Sequence, residues 1–335
     1  MVQKPFLLQY HSRPLTCVRF NRDGDFFISS ANDGRCCLIR TETGERIGTY
    51  EGHDGAIKSC DIDAESSMVV TAGADSRVVF YDAQTGDVIY SLNHGGIVKS
   101  VEFNQHPECQ DRIVTCADKF KTTPNNISIW QFDFTTDDPV CERVLMLAEE
   151  LPMKATMVKW GPFDETLISI HEEGTFCVWD ISNAQLIKLV EAHQQPIKSL
   201  NFNENRTLLL TASRDKTVKM WETQEYSCLK KFQSNRPFND AVLSPLYTDP
   251  VNPRYHVLAG GGVEAREVTQ TTEGGFESVL FNMVLEEEIG TIKGHFGPMN
   301  TIAISPDGRS YVTGGEEGLI RLIHFDPDYF TRKDL

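Results

Sequence analysis

Residues 193–222 read HQQPIKSLNFNENRTLLLTASRDKTVKMWE. Three runs of strand-forming residues, IKSLNF, TLLLTAS and TVKMWE, are separated by clusters of Asn, Glu, Arg, Asp and Lys that read as turns. His193 opens the stretch, Thr211 precedes Asp215 by four residues, and Trp221 follows it by six. The same pattern recurs on either side. The histidines His11, His53, His94, His193 and His295 are separated by 42, 41, 99 and 102 residues, and the last two gaps each hold two periods. A period of about 40–45 residues is that of a β-propeller, whose blades bury their faces only by stacking on neighbours.

Seven units follow from that period. Unit one supplies LTCVRF, DFFISS, RCCLIR and ERIGTY, with Asp23-Gly24, Asp33-Gly34 and Thr43-Gly44 as tight turns. Unit three carries an insert, KFKTTPNN, before ISIWQF. In unit six, FNDAVLSP and YHVLAGGG read as the first two strands, and REVTQTT and FESVLFNMV as the third and fourth. Unit seven has only three strands, and PFLLQYH at the N-terminus supplies a spare one. Pairing the two closes the ring and removes a free edge. The expected architecture is all-β: one seven-bladed propeller over residues 1–335, sealed by the N-terminal strand, with a short tail from about residue 327.

The 32 basic against 48 acidic residues give a formal charge of −16. That balance repels phosphate backbones and lacks the basic stripe of nucleic-acid binders, whereas a basic protein partner is favoured. The nine cysteines show no metal-ligand spacing and no disulfide framework, as for reduced thiols in cytosol. No apolar run approaches the roughly 18 residues of a membrane span, and MVQKPFLLQY does not read as a secretory signal. No cofactor is implied. His171-Glu172-Glu173-Gly174-Thr175 lacks a zincin's second His, and Gly260-Gly261-Gly262 lacks the Lys-Ser/Thr of a phosphate loop.

The offsets of Thr211, Asp215 and Trp221 hold also for Thr71, Asp75 and Tyr81 and for Ser169, Glu173 and Trp179. Ser29 with Asp33, and Thr313 with Glu317, keep the first of them. With His193 and His53 these groups resemble the hydrogen-bonded tetrad of WD-repeat blades. There a loop His, a strand hydroxyl, a turn acid and an aromatic residue satisfy one another. Recurrence in several units argues for structure over catalysis, since an active site is needed once. Leu151 stands near the expected His of unit four, and Ile39 and Ile323 stand where units one and seven would carry the Trp.

The last third carries a narrower likeness. GGG-x-EA-x-x-VT-x-T over Gly260–Thr271, GHFGP over Gly294–Pro298 and GGEEG-x-IR-x-x-x-FD-x-x-YF over Gly314–Phe330 resemble the subunit-i family of eukaryotic translation initiation factor 3. The resemblance implies a non-catalytic, cytoplasmic scaffold with neither metal nor cofactor. It also implies two partners: a helical C-terminal segment of subunit b near blades five and six, and an N-terminal segment of subunit g. Asp215 matches the turn acid of the family's blade-five motif, and Asn235 and Arg236 face it by position. These three are the expected partner contacts, and the small ribosomal subunit is reached only indirectly. Three alternatives compete: a kinase-receptor-associated or G-protein β-like scaffold sharing only the ring, a hydrolase with a channel site, and an RNA-binding ring.

Overall fold

The computed structural model describes residues 5–120, 124–136, 138–147, 153–250, 253–262 and 276–331. Their alternating and fully apolar runs form seven four-stranded antiparallel sheets. Blade one comprises Leu15–Phe20, Phe26–Ala31, Cys36–Arg40 and Arg46–Tyr50, and blade two Ile57–Ile62, Met68–Gly73, Arg77–Asp82 and Val88–Asn93. Blade three runs through Val98–Phe103, Arg112–Ala117, Asn126–Asp133 and Val140–Leu147, and blade four through Ala155–Trp160, Thr166–His171, Thr175–Asp180 and Leu186–Glu191. Blade five holds Ile197–Phe202, Leu208–Ser213, Thr217–Glu222 and Cys228–Gln233. The first strand of each blade packs on the first strand of the next, and that of blade seven on that of blade one. The molecule is a seven-bladed β-propeller.

Blade seven combines Met299–Ile304, Ser310–Gly315 and Ile320–His324 with Phe6–Leu8, which runs antiparallel to Ile320–His324 with Leu8 opposite Ile320. The spare N-terminal strand therefore completes the last blade. Hydrophobic burial is arranged between blades rather than within them. Phe80, Phe103 and Trp130 join blades two and three, Phe176 and Trp221 join four and five, and Leu8, Leu15 and Leu322 join seven and one. Polar links between first strands also join blades two and three, three and four, and six and seven: the amide of Phe103 donates to Asp61 (2.8 Å), that of Trp160 to Glu102 (2.8 Å) and that of Ile302 to Asp240 (2.9 Å). Each satisfies a backbone group that has no ladder partner.

Blade six departs from the sequence reading. Its strands are Phe238–Leu243, His256–Gly261, Ser278–Asn282 and Glu288–Ile292. The third strand thus lies within FESVLFNMV, the stretch expected to be the fourth, and the fourth begins at the last residue of the Glu286–Glu288 run. REVTQTT and most of the Gly260–Thr271 signature lie outside the described residues, as do Leu151 and Lys121. At the C-terminus, Pro327–Thr331 forms one helical turn against the ring. Tyr329 is buried there, stacks on Phe325 (4.2 Å) and places its hydroxyl 2.6 Å from His256 Nδ1.

Candidate functional site

The recurring polar residues meet at blade corners. In blade five the Trp221 indole donates to Thr211 Oγ1 (3.0 Å), and that hydroxyl lies 2.8 Å from His193 Nε2. His193 Nδ1 lies 2.9 Å from Asp215. Because Thr211 accepts from the indole, its own proton turns to Nε2; the network therefore assigns the imidazole proton to Nδ1, which donates to Asp215. Asp215 also accepts from the backbone N–H (3.0 Å) and hydroxyl (2.6 Å) of Thr217 and from the N–H of Gln194 (3.2 Å). Its four acceptor positions are thereby filled. Burial alone would raise the Asp215 pKa, but the bonds from His193 and Thr217 hold it well below the usual carboxylate range.

The other corners vary this scheme. His53 lies 2.8 Å from Thr71 and 2.9 Å from Asp75. A side chain at Gly73 would press on the His53 ring and the Asp75 carboxylate and make them shift, whereas Ala31 and Ser213 hold the equivalent place in blades one and five. His295 joins Thr313 (2.7 Å) and Glu317 (2.6 Å), and His11 joins Ser29 (2.9 Å) and Asp33 (3.2 Å). Ile39 and Ile323 are buried at the places a Trp would take.

Tyr81 does not complete the blade-two tetrad. Its phenol oxygen is buried without a hydrogen-bond partner and lies over Gly52. Its ring packs on Tyr50 instead. In blade four Trp179 donates to Ser169 (2.8 Å), but the histidine is His171, two residues along the same strand and 3.0 Å from Ser169. Glu173 is exposed and makes no part of that network. In blade three, His94 and Trp130 both bond to Thr115 (2.9 Å each). The offset search missed this trio because the KFKTTPNN insert moves Trp130 to fifteen residues past Thr115. A shared Thr–His–Trp content despite the insert was the available signal. Without an acid at Nδ1, burial pushes the His94 pKa down to about 4.

Thr211, His193 and Asp215 have the hydroxyl–imidazole–acid order of a nucleophilic triad. However, Thr211 is fully buried and its oxygen is capped by the indole, so no reacting carbonyl can approach it. Among the described residues no cluster of three His, Cys, Asp or Glu side chains could hold a metal ion, and no helix is long and apolar enough to cross a membrane.

Blades five and six meet beside this corner. The N–H of Ser234 donates to the carbonyl of Lys216 (3.1 Å), which ties the loop carrying Asn235 and Arg236 to the turn carrying Asp215. The structure thus brings the three expected contact residues to one face. They differ in availability. Asn235 is exposed. Arg236 is engaged with Glu277 (3.1 Å), which also lies 3.6 Å from Lys293. The Asp215 side chain is only 11% exposed.

Seven blades, a closing N-terminal strand and repeated hydroxyl–His–acid corners define a propeller of the WD-repeat type. The family model EIF3I matches residues 3–333. Proteins described as eukaryotic translation initiation factor 3 subunit I are similar over nearly their whole length. The one from Bombyx mori is 37% identical over 330 residues, covering 98% of this chain and 97% of the relative. That from Culex quinquefasciatus is 35% identical over 334 residues (98% of each), and that from Schizosaccharomyces pombe 34% over 334 residues (98% and 99%). The chain belongs to the EIF3I family.

Proposed function

We propose that this protein is a non-enzymatic, cytoplasmic scaffold subunit of eukaryotic translation initiation factor 3. In this reading it holds a helical C-terminal segment of subunit b and an N-terminal segment of subunit g, and through them supports assembly on the small ribosomal subunit. The observation that carries the reading is the family match over residues 3–333, which spans all seven blades and their loops. The formal charge of −16 favours encounter with a basic helix.

The subunit-b segment docks at the corner of blades five and six. Asn235 offers the direct hydrogen bonds. Asp215, with its acceptor positions filled from within, contributes negative potential and a rigid turn rather than a bond of its own. Arg236 orients the loop through Glu277.

Calorimetric titration of the full chain with the subunit-b C-terminal segment tests this. Asn235→Trp, which crowds the loop without entering the core, is expected to weaken binding about tenfold, or about 1.4 kcal/mol, with an unchanged melting profile. Unaltered affinity would remove the site, and absence of binding by the wild-type chain would remove the partner.

A further inference from the structure

Blade three is built differently from the others. Its two outer strands, Asn126–Asp133 and Val140–Leu147, have eight residues each, against six or fewer in the outer strands of every other blade. The extra length brings Phe134, just past the first of these strands, against blade two. Phe134 stacks on Phe132 (4.9 Å) and on Tyr90 of blade two (5.5 Å), and meets Phe80 edge-on (5.0 Å). These aromatic contacts hold the hairpin in place and leave a groove of about 750 Å³ between the two blades. That volume lies within the range of roughly 300–1,000 Å³ typical of binding pockets.

The lining has two chemical parts. Ile89 of blade two and Phe134, Val140 and Val144 of blade three form an apolar wall. Val140 is 44% exposed within its strand, and Val144 is 51% exposed at the bulge where the pairing with Ile129 and Trp130 shifts register. Around that wall stand the carboxylates of Asp111, Asp133 and Glu142, and among the described residues no Lys, Arg or His lines the groove. Asp111 accepts one bond from Gln131 (2.6 Å), and Asp133 accepts from the N–H and hydroxyl of Thr135 on one oxygen, so acceptor positions remain on both. Three uncompensated carboxylates beside exposed aliphatic surface select against an acidic occupant. They also select against a second copy of a chain with a charge of −16.

We propose that the groove between blades two and three docks a basic, amphipathic segment of a partner protein. A Leu- or Phe-sized side chain lies against Phe134, Val140 and Val144, and flanking Lys or Arg residues reach Asp111, Asp133 and Glu142. This surface is separate from the corner of blades five and six, and it stands whether or not that corner binds subunit b. The apolar anchor supplies most of the affinity and the carboxylates supply register and encounter rate.

The test is fluorescence anisotropy of the full chain with a short fluorescein-labelled peptide of Lys, Leu and Phe. Two companion peptides have Lys replaced by Glu, or Leu and Phe replaced by Gln. The first peptide is expected to bind, and both companions to bind at least about tenfold more weakly. Val144→Lys is expected to weaken the first peptide by a similar factor. Leu189→Lys, the same change on the exposed outer strand of blade four, is expected to leave it unaltered. Methyl shifts on titration should fall on Ile89, Val140 and Val144. Equal binding of the Gln peptide, equal loss in Leu189→Lys, or shifts on another blade would overturn the proposal. So would a concentration-dependent dimer that Val144→Lys dissolves, since the occupant would then be a second copy. Melting curves of both variants show that each is folded.

Discussion

Thr211 shows how much one buried oxygen can hold. It accepts from Trp221 and donates to His193, whose other nitrogen donates to Asp215. Thr71 bonds to His53 and reaches the carbonyl of Val79 (3.5 Å), but it accepts from no indole. Valine at either position keeps the shape and deletes the hydroxyl. Thr211→Val strands two buried groups and Thr71→Val strands one, at about 1–3 kcal/mol for each group. The expected losses are therefore about 2–6 kcal/mol for Thr211→Val and about 1–3 kcal/mol for Thr71→Val. Urea unfolding of both variants measures the difference; equal losses would mean that the indole contributes nothing to the corner. At this scale the loop histidines, hydroxyls and acids of blades one, two, five and seven were readable from their offsets. His171 was not, because it reaches Ser169 from the same strand face, and a search for a loop residue passes over it.

Among the elements, the three residues Phe6–Leu8 have an importance beyond their length. They cover the edge of Ile320–His324 and insert Leu8 among the residues that join blade seven to blade one. Deleting residues 1–9 removes a buried leucine, worth about 2–5 kcal/mol, before the lost strand pairing is counted. A fall of about 5 °C or more in the melting midpoint by circular dichroism is expected. An unchanged midpoint would show that the ring closes without this strand. Blade three gives the opposite lesson. Its insert and longer hairpin disturbed the regular spacing, and the same extra residues form the groove against blade two.

For the whole molecule, acidity sets a direction. Burial lowers the pKa values of His11, His94, His171, His256 and His324, with His94 and His256 reaching about 4. An unfolded histidine titrates near about 6.5. Below that value the unfolded chain takes up protons that the native ring refuses, so stability is lost as pH falls from about 6.5 toward 4. Asp75, Asp215 and Glu317 are depressed, and their contribution, present above the unfolded carboxylate value, is lost at still lower pH. Asp61 opposes this trend. Burial and the neighbouring Glu102 raise it to about 7, so its contribution is present in acid and is lost as pH rises through that value. Asp164, raised by burial, acts in the same sense as Asp61, and five histidines against these two carboxyls predict a melting midpoint that drops steadily between pH 7 and pH 5 by calorimetry at constant ionic strength. A level midpoint over that interval would show that the raised carboxyls offset the histidines, and a rising one that they dominate.

The period of about 40 residues, the strand runs and the spare N-terminal strand were legible without coordinates, because each is a local or periodic property of the chain. They were enough for the number of blades and for the way the ring closes. The partners of each polar group were settled only by packing, since a side chain's hydrogen bonds depend on how far it reaches and on what stands opposite. Thus Tyr81 and Trp221 occupy equivalent positions, yet only the indole N–H meets its threonine. The strand assignments of blade six, the docking of Tyr329 against His256 and the acid-rimmed groove on blade three arise from contacts between segments far apart in the chain.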